Sequence, residues 1–154
     1  MTTNITTQKL CNWFIQNAVA HSEALTPVKL NHLVILSGWW YRHRHGEALM
    51  QESAEAWPQG PVLPSLYHEY KDQPPTAAIE NPSRRQPPLE EDCDVIPFLE
   101  HIWSMYGKYT AKQLSRINTS DRSPWGQALA KQGEPVRQTI TEQHIAAYFQ
   151  SLEI

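Results

Sequence analysis

The stretch TPVKLNHLVILSGWWYRHRHG, residues 26–46, predicts a long helix whose two ends are both marked in the sequence. Thr26 can cap the free amide groups of the first turn, and Pro27 suits the first helical position because its missing N–H would have no partner there. Gly46 is typical of the residue that ends a helix. Between these marks an apolar stripe recurs at helical spacing, and other apolar residues cover much of the remaining circumference. The sequence therefore predicts a helix at the centre of the protein.

Shorter helices are predicted on both sides of this central helix. Before it, Leu10, Phe14 and Ala18 recur every four residues, which indicates a docked amphipathic helix. Apolar spacing and cap residues predict further helices from Leu63 to Tyr70, from Phe98 to Tyr106, after Thr110 with Gln113, after Ser123, and after a capping box of Thr139 and Glu142. The fold class is therefore mainly α.

A small β element of two or three strands is predicted around residues 48–62. Residues 48–50 and 53–57 show no helical period and can pair as two short strands. The prolines that follow fix φ, and Gly60 can take conformations closed to other residues, so the chain makes a rigid turn there before the next helix.

The segment 72–90 predicts a surface loop, because it holds five of the 12 prolines and few large apolar residues. Tryptophans lie on both sides of it, and neither half is large enough for a comfortable core. We therefore expect one compact domain over residues 1–154, with the proline-rich loop as an excursion from it.

Composition excludes several classes of protein. The chain has 154 residues and a formal net charge of −3, so no positive field draws it to nucleic acid or to an anionic membrane. The N-terminal residues lack the apolar core of a signal peptide, and no apolar run is long enough to span a membrane. Cys11 and Cys93 lack metal-ligand spacing and are expected to be reduced thiols. These features favour a cytoplasmic protein.

The sequence predicts neither a metal site nor a catalytic site. His43 and His45 are two positions apart, so on a helix their side chains point about 200° apart. The basic end of the central helix, Arg42–His45, is instead favourable at a helix C-terminus. The chain has no nucleophile motif and no glycine-rich phosphate loop. We therefore expect no cofactor and no enzymatic activity.

Two blocks of sequence resemble the Panacea domain family, the SocA-like and GepA-like phage-associated proteins. Members tend to show Leu-Thr-Pro-x-Lys-Leu, an aromatic-rich apolar helix, and then Ala-Trp-x-x-Gly-Pro-Val. Residues 25–30, 33–41 and 56–62 match this order, and residues 103–125 are similar to the second block of the family, Tyr-Gly-x-x-(Ser/Thr)-Ala-x-x-Leu with a Pro-Trp ending. The residues that carry the resemblance are Thr26, Pro27, Lys29, Leu30, Ala56, Trp57, Gly60, Pro61, Val62, Tyr106, Gly107, Leu114, Pro124 and Trp125.

Two adjacent positions depart from the family pattern. The family often has Thr-His shortly after the second block's Leu-Ser pair, and this chain has Asn118-Thr119 there. We therefore assign no chemical role to these two residues.

The resemblance implies an antitoxin that binds a cognate protein toxin in a hetero-oligomer, in a phage or prophage setting. It also leaves open a proteolytic adaptor that delivers a bound protein to a host protease. A third alternative is a nucleic-acid regulator that uses residues 26–41 or the helices of residues 110–125 as a helix-turn-helix, although the low basicity disfavours it.

The rigid stretch around Trp57 admits a structural and a functional interpretation. Trp57 can anchor the small sheet on the central helix, as packing requires, or the edge of its motif can form part of the toxin-binding surface. We expect the partner-binding surface to draw on Arg42, His43, Arg44, His45, Trp57, Tyr67, Arg84 and Arg85.

Overall fold

The computed structural model describes residues 5–74, 77–79, 89–90, 93–130 and 138–152. Within these ranges it confirms the prediction of a mainly α fold with a small β element. In chain order the elements are α1 (Thr7–Ala20), α2 (Pro27–His45), β1 (Glu55–Trp57), β2 (Gly60–Val62), α3 (Pro64–Tyr70), α4 (Ile96–Tyr106), α5 (Ala111–Asn118), α6 (Pro124–Ala130), β3 (Gln138–Thr139) and α7 (Glu142–Leu152).

Helix α2 lies at the centre, as its apolar circumference predicts. It packs against α1, α3, α4, α5, α7 and β2. The Thr26 hydroxyl accepts a hydrogen bond from the Lys29 amide, and Gly46 ends the helix in the left-handed region with a φ of 72°. Leu30, Leu33 and most of the other apolar side chains of α2 are buried. Elements from both sides of the proline-rich segment thus meet on one helix.

The small sheet has the order β2-β1-β3 and is antiparallel throughout. In its register Glu55 lies opposite Val62 on one side and Thr139 on the other. Gly60, with a φ of 143°, supports the tight reversal between β1 and β2. The third strand comes from the C-terminal part of the chain, which the local sequence pattern did not indicate.

The predicted pairing of residues 48–50 with residues 53–57 is wrong. Met50 instead forms an isolated parallel bridge with Ile5, and β1 pairs with β2 and β3. The reason lies in Glu52, whose carboxylate accepts hydrogen bonds from the Thr7 hydroxyl and from the Ser65 amide and hydroxyl. These bonds hold the segment between the N-terminal ends of α1 and α3, so it cannot act as a hairpin turn.

Helix caps follow the sequence in most places. Thr110 and Gln113 form the predicted capping box at α5, and the Ser123 hydroxyl accepts a hydrogen bond from the Gly126 amide at α6. The capping box predicted for Thr139 and Glu142 is wrong, because Thr139 lies in β3. Thr141 caps α7 instead and accepts a hydrogen bond from the His144 amide.

Part of the proline-rich loop is described, and there the chain returns to the core. The Ile79 amide donates a 2.7 Å hydrogen bond to the Leu25 carbonyl, and the Ile79 side chain is buried. Residues 75–76, 80–88 and 91–92 lie outside the described residues. Among the helices that the structure describes, none combines the length and the apolar character needed to cross a membrane.

Candidate partner-binding surface

The residues of the first sequence block contact those of the second. Lys29 is buried, and its Nζ donates a 2.6 Å hydrogen bond to the Gly107 carbonyl. The same ammonium group lies 5.8 Å from the centre of the Trp103 ring. Burial lowers the pKa of Lys29, and the negative charge of Glu23 offsets part of that effect. Lys29 therefore ties the start of α2 to the end of α4.

A second contact joins Trp57 of β1 to Trp125 of α6. Trp125 Nε1 donates a 2.6 Å hydrogen bond to the Trp57 carbonyl. The Trp57 side chain is only 4% exposed, and its own Nε1 donates to the Glu55 carboxylate at 2.8 Å. Its ring packs edge-on against Tyr67, with 4.9 Å between ring centres. The rigid tryptophan of the motif thus serves packing, and Tyr67 covers it.

The turn at Gly60 packs against the end of α5. A Cβ atom at Gly60 would lie 3.2 Å from the Cγ2 atom of Thr119, closer than such contacts normally are. The Thr119 hydroxyl donates a hydrogen bond to the Ser115 carbonyl and so is used within its own helix. One of the two positions at which this chain departs from the family pattern therefore contributes to packing.

His32 and Asn118 form a buried polar pair that sequence reasoning missed. Asn118 Nδ2 donates to His32 Nδ1 at 2.9 Å, between α2 and the end of α5. Burial lowers the pKa of His32 to about 4, so the imidazole is neutral at pH 7. Asn118 Oδ1 has no hydrogen-bond partner in the part of the chain that the structure describes. Asn118 departs from the family pattern, but neither that departure nor helical spacing indicates that Asn118 contacts His32.

At the predicted basic end of α2, residues 43–45 are exposed and Arg42 is partly buried, and three of the four side chains contact other side chains. Arg42 forms an ion pair with Glu142 of α7, and His43 stacks on Phe149 with 4.2 Å between ring centres. His45 lies on the ring of Tyr41 at 4.3 Å. The two histidines therefore pack on different rings. Arg84 and Arg85, also predicted to bind a partner, lie outside the described residues.

An open groove of about 480 Å³ lies beside the residues of the first sequence motif, and Pro27, Pro61 and Val62 of that motif line it. It is bordered by the first turns of α2, by β2 and α3, and by Ser115 of α5. Its apolar lining comes from Pro27, Val28, Pro61, Val62, Leu66 and Tyr67. Tyr67 is 42% exposed, one of the few large apolar side chains that reach solvent among the described residues.

Sequence reasoning found parts of this groove but not the groove itself. Pro27, Pro61 and Val62 were recognised as motif residues, and Tyr67 was predicted to contact a partner. Val28 and Leu66 carried no signal beyond helical periodicity. Only the fold brings the start of α2 beside α3.

The edge of β2 on the groove side is occupied by a side chain of α2. Asn31 Nδ2 donates to the Pro61 carbonyl at 3.0 Å, and Asn31 Oδ1 accepts from the Leu63 amide at 3.1 Å. The amide group thus replaces a neighbouring strand and satisfies the main-chain groups that an edge strand leaves open. Another strand cannot pair with β2 there without displacing Asn31.

The fold and this surface define a mainly helical protein in which two sequence motifs form a buried joint beside an open apolar groove. The chain belongs to the family described as antitoxin SocA-like, Panacea domain, whose sequence model matches residues 30–126. The matched range begins within α2 and ends within α6, so α1, β3 and α7 lie outside it. No curated protein and no solved structure gives a significant match.

Proposed function

We propose that this protein is an antitoxin that neutralises a cognate protein toxin by direct binding, as part of a phage- or prophage-associated toxin–antitoxin pair in the bacterial cytoplasm. The observation that carries the proposal is the match of the antitoxin SocA-like family to residues 30–126. In this proposal the chain acts as one domain and forms a hetero-oligomer with the toxin.

Neutralisation would work by covering the toxin's active or target-binding surface. A stable complex of this kind buries about 1,200–2,000 Å² in total and requires complementary shape but no chemical step. The described surface suits such a role because it offers an apolar groove and an exposed aromatic side chain, Tyr67. Neither a cofactor nor catalysis enters the proposal.

The arrangement of motif residues supports separate roles for buried motif residues, which hold the fold together, and exposed residues, which contact the toxin. Lys29, Trp57 and Gly60 make internal contacts that hold helices and sheet together. Residues of this kind can recur in antitoxins for unrelated toxins because they specify the scaffold. Selection of one toxin would then depend on exposed residues beside these buried motif contacts.

The helix-turn-helix alternative gains no support from α2. A recognition helix needs one face free to enter the major groove. Five helices and β2 pack against α2 in the described part of the chain, and most of its apolar side chains are buried. Its exposed positions are concentrated at the C-terminal end, where Arg42 and His43 contact α7.

Co-expression with neighbouring gene products tests the proposal. Each adjacent gene would be expressed in the bacterial host with and without this protein, and growth and co-purification would be measured. We expect one neighbour to arrest growth, and this protein to restore growth and to co-purify with that product in stoichiometric amount. Failure of every neighbour to arrest growth or to be rescued would overturn the antitoxin proposal.

Toxin abundance in the same cells distinguishes direct masking from delivery to a protease. Direct masking predicts that the toxin persists at a normal level in the rescued cells. A protease-dependent fall in toxin level would replace masking with the adaptor mechanism.

A further inference from the structure

We propose that the groove beside β2 binds an amphipathic helix of the partner, with apolar side chains in the groove and a carboxylate that reaches Lys71 and Gln73. This inference rests on the proposed function, since it names the partner chemistry of the same protein–protein contact. Three observations carry it: the closed edge of β2, the apolar lining of the groove, and the hydrogen-bond donors of Lys71 and Gln73 beside it.

The closed edge of β2 excludes the addition of a strand to the sheet. Peptides that bind by strand addition gain affinity from main-chain hydrogen bonds to an open edge. Here Asn31 already occupies the Pro61 carbonyl and the Leu63 amide. A partner segment must therefore satisfy its own main chain and contribute side chains. A helix does so, because its main-chain hydrogen bonds are internal.

The apolar lining suits the side chains of one helix face. Val28 comes from α2, Pro61 and Val62 come from β2, and Leu66 comes from α3, so three elements contribute apolar side chains to the groove. Tyr67 is held against Trp57, so its ring is already positioned before a partner arrives. A preorganised aromatic side chain loses little conformational freedom on binding, and such residues are frequent hot spots.

The polar groups around the groove call for an acceptor with negative charge. Lys71 is the charged residue among those that line it, and no acidic residue does so within the described chain. Gln73 also lines the groove, and its Nε2 is buried without a hydrogen-bond partner among the described residues. An unpaired buried donor and an ammonium group are both satisfied by a carboxylate.

Two matched pairs of variants test the inference with the toxin found by co-expression. Val28→Asp places a negative charge in the groove, and its position in the first turn of α2 tolerates an acidic residue. Val19→Asp is its control, since Val19 is 56% exposed at the end of α1. Lys71→Glu reverses the charge of the groove, and Arg122→Glu makes the same kind of change at an exposed residue between α5 and α6 that does not line the groove.

We expect Val28→Asp and Lys71→Glu to weaken toxin binding by about tenfold or more and to abolish rescue, with both controls within about twofold of wild type. Circular dichroism would confirm that all four variants are folded. Exchange of one toxin glutamate or aspartate for lysine should restore binding to Lys71→Glu. Wild-type binding by both folded groove variants would overturn this inference while the antitoxin proposal stands. Failure of the wild-type protein itself to bind or rescue would overturn the antitoxin proposal.

Discussion

Trp125 Nε1 donates a hydrogen bond of 2.6 Å to the main-chain carbonyl of Trp57, and the two residues are 68 positions apart in sequence. This bond joins the two motif blocks of the family through the carbonyl of a strand residue. Its donor is a side chain and its acceptor is main chain, so the identity of residue 125 controls the contact.

Trp125→Phe should therefore destabilise the protein by about 1–3 kcal/mol, because it removes the hydrogen bond from the indole of residue 125 to the Trp57 carbonyl. Urea unfolding followed by circular dichroism gives the free energy of unfolding. Trp13→Phe on α1 is the matched control for loss of ring volume, since Trp13 is also partly buried. Equal losses in the two variants would show that the hydrogen bond contributes nothing beyond packing.

Gly60→Ala should destabilise the protein by about 1–3 kcal/mol, because φ at this position is 143° and the new Cβ would press on Thr119. Gly38→Ala is the contrasting change. Gly38 lies inside α2, and its added Cβ would meet only the terminal methyl of Met50, 3.3 Å away. We expect Gly38→Ala to be neutral or stabilising by up to about 1 kcal/mol. Calorimetry should therefore give a lower thermal midpoint for Gly60→Ala than for Gly38→Ala. The reverse order would contradict this account of Gly60.

Burial of His32 should make stability fall as pH decreases from about 7 to about 4. Its pKa is lowered in the folded state to about 4 from an ordinary value of 6.5. As pH falls, the unfolded chain therefore takes up the proton first, and the folded state loses up to about 3 kcal/mol relative to it. At pH values above the pKa of His32 in the unfolded chain, the contribution of His32 to the free energy of unfolding is constant.

His32→Gln removes this titration, so its free energy of unfolding should change less between pH 7 and pH 5 than that of wild type. We compare how steeply the free energy of unfolding changes with pH in the two proteins, because any destabilisation by the substitution that does not depend on pH leaves this slope unchanged. His101→Gln on the exposed face of α4 is the control and should retain the wild-type slope. A wild-type slope in His32→Gln would show that His32 does not cause the loss of stability as the pH falls.

Asn31→Ala should open the outer edge of β2 and cost about 1–3 kcal/mol, since the Pro61 carbonyl and Leu63 amide both lose their partner. Hydrogen exchange gives a site-specific readout. The Leu63 amide should exchange faster in the variant, beyond the change that the lower global stability produces. Gln59→Ala, at an exposed residue of the turn between β1 and β2, should leave Leu63 protection unchanged.

The local architecture of the protein was largely predictable. Thr26 and Gly46 mark the ends of α2 by their own chemistry, and the apolar circumference between them predicts a central helix. The strand pairing of residues 48–50 was not predictable in the same way. It depends on Glu52, whose partners Thr7 and Ser65 lie 45 and 13 residues away.

The partner-binding candidates show the same division. Tyr67 is exposed and its contact role stays a prediction, whereas Trp57 is buried and its ring packs against Tyr67. Motif spacing does not distinguish them, because it records which residues the fold requires but not which way each side chain points. The groove also draws on Val28 and Leu66, which no motif singled out.

The central helix, most of the caps, the class of fold and the family can be read from the amino-acid sequence, because each of these depends on neighbouring residues or on a fixed order of motifs. The third strand, the His32–Asn118 pair and the groove beside β2 arise only when distant elements pack together. The residues that form these features are far apart along the chain. His32 and Asn118 are 86 residues apart, and their contact exists only after α2 and α5 have packed together.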